Sequence, residues 1–302
     1  MFHRVRLLLE LIRFSHTVFA LPFALTSAVL AWKDRWHGQA VAWPALGLDL
    51  LGILLCMVFA RSAAMAFNRL ADQPFDSANP RTAGRHLPTG RLTRSAVWLF
   101  TAVCAAAFIA ATLIFVASSG NWWPFYLAVP ALLVIGSYSY TKRFTSLSHF
   151  WLGASLFLAP VGAWVAIRGM EALAAPVVLG LAVLFWVAGF DILYACQDVD
   201  FDRQARLKSV PARLGVRAGL RVAMLCHAVM VGLLFALYWA AAPHLGVIYL
   251  VGVAAVTGLL VYEHWLVRPD DLSRVNQAFF QVNAVVSIGL FAVVLLQLVV
   301  GV

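Results

Sequence analysis

Residues 174–202 read AAPVVLGLAVLFWVAGFDILYACQDVDFD. The run from Ala174 to Cys196 carries a single charge, Asp191, and is long enough to cross a hydrocarbon core of about 30 Å as a helix. Directly after it, Asp198, Asp200 and Asp202 crowd together at the end of the span. Carboxylates are scarce here, 13 Asp and Glu in 302 residues, so such a cluster stands out. A second one ends an earlier apolar run: Asn68-Arg69-Leu70-Ala71-Asp72-Gln73-Pro74-Phe75-Asp76. Asp72 and Asp76 repeat the spacing of Asp198 and Asp202, and positions i and i+4 share one face of a helix. Each cluster can aim two carboxylates at one point, and two such faces opposed would hold divalent metal.

Composition decides the solvent. Hydrophobic residues make up 63% of the chain and charged ones 12%, with a strongly positive mean hydropathy, outside the range of soluble domains. The chain reads as an all-α integral membrane protein, one domain over 1–302. Nine apolar stretches are expected to span: Arg13 to Trp32, Trp43 to Leu70, Ser95 to Ser118, Trp122 to Tyr140, Leu147 to Ile167, Ala174 to Cys196, Arg217 to Trp239, His244 to Leu266 and Val275 to Val300. With the N-terminus inside, all 22 Lys and Arg except Lys33, Arg35 and Arg168 fall on the cytoplasmic side. That asymmetry predicts an N-in, C-out topology in the inner (cytoplasmic) membrane, with both acidic clusters facing the cytoplasm. The net charge of +9 is then topogenic and local to the clusters, and no nucleic-acid binding is read into it.

The first apolar run is nearer in length to a span than to a signal-peptide core, so a retained first helix is expected. Cys56, Cys104, Cys196 and Cys226 lie in apolar segments without paired spacing and read as buried, reduced fillers. The eight histidines show no metal-binding spacing. Trp32, Trp36, Trp43, Trp122 and Trp123 fall near the non-cytoplasmic ends and read as interfacial belt residues.

Two charged cytoplasmic loops, about 71–94 and 197–216, each begin at an acidic cluster. Asp72 to Asp198 and Asp76 to Asp202 are equal intervals, a faint internal duplication for which coincidence is the alternative. Magnesium takes oxygen ligands, commonly one or two carboxylates with substrate phosphates. Asp72, Asp76, Asp198 and Asp202 could hold Mg2+ while Arg81, Arg85 and Lys142 neutralise phosphate oxygens. Metal and cations together make diphosphate a good leaving group, and a greasy tail on that diphosphate would lie among the helices.

Asn68-x-x-x-Asp72-x-x-x-Asp76, the loop Asn79-Pro80-Arg81-Thr82-Ala83-Gly84-Arg85-His86-Leu87-Pro88-Thr89-Gly90, and Tyr194-Ala195-Cys196-Gln197-Asp198-Val199-Asp200-Phe201-Asp202 resemble the two signature loops of the UbiA superfamily of intramembrane prenyltransferases. Arg13-Phe14-Ser15-His16-Thr17 and Tyr138-Ser139-Tyr140-Thr141-Lys142-Arg143 are also in character. The resemblance implies nine helices around a central cavity and Mg-dependent transfer of a polyprenyl group from its diphosphate to an aromatic ring. It places Asn68, Asp72, Asp76, Asp198 and Asp202 at the Mg-diphosphate and Arg13, Arg81, Arg85, Tyr138, Lys142 and Tyr194 at diphosphate contacts. The loops are most similar to 4-hydroxybenzoate polyprenyltransferases of ubiquinone and menaquinone biosynthesis, or to relatives that prenylate a dihydroxynaphthoate in the futalosine route. Protein partners are not implied.

Competing readings attach to several residues. Arg61, about two turns inward from Asn68, could pair with the carboxylate of an aromatic acid, and Asp191, about two turns inward from Asp198, is a catalytic candidate as an intramembrane charge. The two could instead pair with each other. Arg143 reads as a topology determinant and Asp200 as solvated. Pro74 cannot continue a regular helix interior, so the first cluster is expected to leave helical geometry near Asp72. Phe14, Phe67, Phe157, Trp164 and Phe190 could flank a carbocation, although packing is the stronger reading of each. A transporter using intramembrane charge is the alternative class, disfavoured because its site would lie near the midplane.

Overall fold

The computed structural model describes residues 7–8, 10–11, 20–36 and 40–301. Regular structure among them is helical: α1 (Leu21–Arg35), α2 (Trp43–Ala78), α3 (Arg94–Ser119), α4 (Trp123–Phe144), α5 (Ser148–Arg168), α6 (Ala174–Ala195), α7 (Val199–Gln204), α8 (Val210–Leu214), α9 (Val216–Ala240), α10 (Val247–Leu266), α11 (Val275–Gln277) and α12 (Asn283–Val300). Each expected span falls at least partly on a described helix. Seven helical stretches among the described residues are long and apolar enough to cross a membrane. Their outward faces carry exposed Leu99, Val103, Leu225, Val251, Val261 and Val299. Only lipid accommodates so much apolar surface on a helical bundle, and the chain is a multi-pass membrane protein.

The helices pack in sequence, α2 with α3, both with α4, then α4 with α5, α5 with α6, α6 with α9, α9 with α10 and α10 with α12. Helix α12 returns to α1, and α1 lies along α5. The span that includes α6 is the most enclosed, 61% buried against 28% for α2 and for α3, which makes α6 the central post of the bundle. Close approach is set by small residues. A Cβ at Gly153 would collide with the Leu184 carbonyl, so α5 and α6 meet backbone to backbone there.

Several polar groups inside the bundle are paired with one another. Trp186 Nε1 donates to Asn283 Oδ1 (2.7 Å) and Asn283 Nδ2 to Glu263 Oε1 (2.9 Å), which ties α6, α12 and α10 together. Near the start of α2, the buried Asp49 carboxylate accepts from Trp32 Nε1 (3.3 Å), Arg35 Nη1 (3.5 Å) and Ser118 Oγ (3.0 Å), clamping α1, α2 and α3. Trp32 therefore departs from the belt reading, because its indole is needed inside to satisfy Asp49. Trp43, Trp122 and Trp123 are exposed.

At the opposite end lie the connections after α2, α4 and α6. Helix α2 has 36 residues and runs roughly 54 Å at 1.5 Å per residue, well beyond a bilayer core. It carries the first acidic cluster out of the membrane with it. Pro74 lies inside α2, which continues to Ala78, so the expected exit from helical geometry near Asp72 does not occur. Proline removes one ladder bond and strains the preceding turn. The carbonyl left without its ladder donor is that of Leu70; on the neighbouring carbonyl, Ala71, Arg143 Nη2 donates at 2.7 Å and ties this turn to α4.

Candidate active site

A cavity of about 490 Å³ opens at that end and reaches inward between α2, α4, α5 and α6. Asn68, Asp72, Asp76, Asp191, Asp198 and Asp202 line it, as do Arg61, Arg81, Arg85, Tyr138, Lys142 and Tyr194. Arg13 lies outside the described residues. Because α2 stays helical, Asn68, Asp72 and Asp76 follow one another a turn apart along one face. The second cluster is built differently. After Ala195 the chain tightens into a 3-10 turn, Cys196–Asp198, before α7 carries Asp202. Asp200 is exposed, away from the cavity.

Arginines from the first loop hold both clusters. Helix α2 ends at Asn79, whose side-chain oxygen accepts from the Arg81 backbone N–H (2.9 Å), while Thr82 Oγ1 donates to the Asp76 carbonyl (3.2 Å). This turn aims Arg81 across the mouth. Its guanidinium forks onto Asp198, with Nε to Oδ1 at 2.9 Å, and Nη1 donates to the Tyr194 hydroxyl (3.1 Å). Partial burial pulls the Arg81 pKa down, and the hydrogen bond and charge of Asp198 outweigh it, leaving the group above the usual arginine value. Arg85 Nη1 donates to both oxygens of Asp76, at 2.6 and 2.7 Å. Asp202 Oδ2 accepts from Ser209 Oγ (2.8 Å), the N-cap of α8. Lys208 N donates to the Lys142 carbonyl (2.7 Å), fastening the second loop to the end of α4.

Tyr138 and Lys142, one turn apart on α4, both stand within Coulombic reach of Asp72, Asp191 and Asp202. Asn68 Nδ2 donates to Ser139 Oγ (3.4 Å), which leaves its carbonyl oxygen for a ligand. Deeper in the cavity, Arg61 Nε is buried without a hydrogen-bond partner among the described residues. Asp191 does not take Arg61. Its Oδ2 lies 2.6 Å from His149 Nδ1, so the alternative of an Arg61–Asp191 pair is replaced by a histidine partner. His149 offered no sequence signal as a lone histidine in an apolar helix, and Ser139 and Ser209 offered none either. Arg143 is more than a charge that sets orientation, since it holds Ala71 and stacks on Tyr140 and Phe75 at 4.8 and 5.3 Å.

The described aromatic residues named from sequence, Phe67, Phe157, Trp164 and Phe190, are not those of the cavity wall. Phe67 packs on Trp98 and Tyr140, Phe190 on Trp186, and Trp164 donates to the Glu171 carbonyl. A Cβ at Gly180 would meet Phe157, which packs there, and Phe14 lies outside the described residues. Phe75, Phe108, Phe115, Phe201 and Phe280 line the wall instead. Their positions follow from helix rotation, which periodicity in an all-apolar span does not reveal.

The donor set at the mouth fits a hard cation. It is all oxygen, from carboxylates and one amide, and among the described residues no three acidic, His or Cys side chains form a closed cage. An open set of this kind suits magnesium, which keeps waters and substrate oxygens in its shell.

An apolar cavity inside a helical membrane bundle, rimmed by carboxylates and guanidinium groups, is the architecture of an intramembrane transferase. The chain belongs to the UbiA prenyltransferase family, whose model matches residues 20–285, and is an enzyme of the prenyltransferase class. A 4-hydroxybenzoate octaprenyltransferase of Aromatoleum aromaticum is 32% identical over 271 residues, 88% of this chain and 88% of the relative. One from Paraburkholderia phytofirmans is 31% identical over 279 residues, 92% of each chain. Among solved structures, the apo form of a UbiA homologue from Aeropyrum pernix K1 superposes with a TM-score of 0.79 at 31% identity, over 93% of this chain and 98% of that one. A UbiA homologue from Archaeoglobus fulgidus bound to DMAPP and Mg2+ gives 0.71 at 20% identity over 97% and 99%, a likeness of fold alone. Prenyl transfer excludes the transporter reading.

Proposed function

We propose that the enzyme transfers a polyprenyl group from its diphosphate to an aromatic acid resembling 4-hydroxybenzoate, in quinone biosynthesis. One observation carries this reading. Paired carboxylates and three cations rim the mouth of an apolar cavity, and Arg61, whose Nε is buried without a hydrogen-bond partner among the described residues, lines the same space further in. The rim suits a metal-bound diphosphate and Arg61 suits a carboxylate held beneath it. The similarity to named octaprenyltransferases supports the same assignment.

Asn68, Asp72, Asp76, Asp198 and Asp202 would hold Mg2+, which when bound supplies positive charge that improves the diphosphate as a leaving group. Arg81, Arg85 and Lys142 bind its remaining oxygens, with Tyr138 and Tyr194 as hydrogen-bond donors. Arg61 orients the acceptor so that a nucleophilic ring carbon faces the allylic carbon. The helices exclude water, which would otherwise quench a carbocation, and aromatic faces such as Phe75 stabilise developing positive charge. The site faces the cytoplasm across the inner membrane in this proposal, and single-cysteine labelling at Arg85 and Val302 tests that orientation.

Purified enzyme in lipid nanodiscs, given a polyprenyl diphosphate and Mg2+, should prenylate 4-hydroxybenzoate and fail with phenol, which lacks the carboxylate. Product masses read the outcome. Equal transfer to phenol, or transfer only to a non-aromatic alcohol, overturns the reading.

A further inference from the structure

We propose that Asp191 is the acceptor of the proton lost from the aromatic ring and that His149 is the residue that positions it, an inference resting on the aromatic-acceptor reading above. Asp191 lines the cavity on α6, seven residues inward from Asp198 and so roughly 10 Å deeper. Arg61 lies the same distance inward from Asn68 on α2. The two side chains thus bound the cavity at one depth, below the rim, where a ring anchored through its carboxylate would sit.

What surrounds Asp191 suits a base more than a structural ion. Its Oδ2 is held from behind by His149 Nδ1 at 2.6 Å, and its side chain keeps 16% of its surface accessible, on the cavity side, while the His149 side chain has 0%. His149 Nε2 lies 3.2 Å from the backbone nitrogen of Val210. A backbone N–H can only donate, so Nε2 accepts and the ring proton resides on Nδ1. The imidazole is therefore neutral and donates to Oδ2, which orients the carboxylate without neutralising it and leaves Oδ1 for the ring. Val210 follows Ser209, the residue that holds Asp202. The base and the second acidic loop are consequently registered through one turn of chain.

The reaction balances without a further reagent. The ring carbon forms a bond to the allylic carbon as the bond from that carbon to diphosphate oxygen breaks, and the electron pair departs with the diphosphate. The C–H bond at the attacked carbon then breaks, its electrons restore aromaticity, and the proton passes to Asp191 Oδ1.

The experiment compares wild type, Asp191→Asn, His149→Leu and His149→Gln on 4-hydroxybenzoate carrying hydrogen or deuterium at the ring positions beside the hydroxyl. Asp191→Asn should lower kcat by roughly 100-fold or more and should show a primary isotope effect absent from wild type, because proton loss becomes limiting. His149→Leu should lower kcat and show the same isotope effect at unchanged KM for both substrates. His149→Gln, whose amide can still donate, should recover much of the loss. Should the variants fail to fold, nitrogen NMR of histidine-labelled wild type tests the tautomer. A neutral His149 protonated at Nδ1 is expected, and an imidazolium or an Nε2–H tautomer overturns the proposal. Brisk wild-type transfer with no isotope effect in the variants overturns this inference alone, whereas a wild-type enzyme that prenylates no aromatic acid overturns the functional reading together with it.

Discussion

Arg143 Nη2 donates to the Ala71 carbonyl at 2.7 Å, joining the end of α4 to the turn of α2 just ahead of Pro74. The bond anchors the turn of α2 that bears Asp72 to α4, next to the Leu70 carbonyl that Pro74 leaves without its ladder donor. It also stiffens the contact between two of the helices that enclose the cavity. Arg143→Ala should cost about 1–3 kcal/mol, as expected when a charged donor is removed from its acceptor. Thermal unfolding in detergent reads the loss, and an unchanged midpoint would refute this anchoring role.

Arg81 bridges the two loops through a fork that lysine cannot reproduce. Arg81→Ala should raise KM for the prenyl diphosphate roughly 10- to 100-fold, the equivalent of one lost charged hydrogen-bonding partner. Arg81→Lys should recover only part of this. Initial rates at varied diphosphate and saturating acceptor decide the matter, and an unchanged KM in both variants would remove Arg81 from diphosphate binding.

Metal dependence is expected to track the two acidic clusters. Asp72→Ala and Asp198→Ala should each abolish transfer while the purified protein keeps its helical circular-dichroism spectrum. Excess chelator should silence wild type, and added Mg2+ should restore it. Near wild-type turnover by either variant, or full activity in chelator, is the contrary result.

Arg61→Ala separates the acceptor from the donor. Removing one member of a buried charge pair costs at least about 2 kcal/mol, or roughly thirtyfold, and that loss should fall on KM for the aromatic acid and spare KM for the diphosphate. Equal effects on both substrates would place Arg61 at the diphosphate.

The spans were legible because bilayer thickness imposes a length on apolar runs, and the acidic pairs because charge is rare in such a chain. Contacts between distant segments were not. His149 and Asp191 are 42 residues apart, and nothing local to either announces the other. Pro74 was misread for the same reason. The local rule against proline in a helix is sound, but packing against α3 and α4 carries α2 through it, and those contacts lie outside any sequence window around Pro74. Trp32 resembled a belt residue by position, whereas the buried acceptor Asp49 claims it. Which aromatic rings line the cavity depends on helix rotation, and an apolar span facing protein on one side and lipid on the other gives no pattern to read it from.

The carboxylates Asp76, Asp198 and Asp202 each have a partner within the chain itself, in Arg85, Arg81 and Ser209. Burying such groups alone would cost several kcal/mol apiece, and in many small metal-binding domains the ion must arrive before the fold can form. Here the counter-charges are encoded in the same polypeptide. Burial of these three carboxylates therefore does not have to wait for an ion, and insertion and assembly are expected to proceed whatever the local magnesium level.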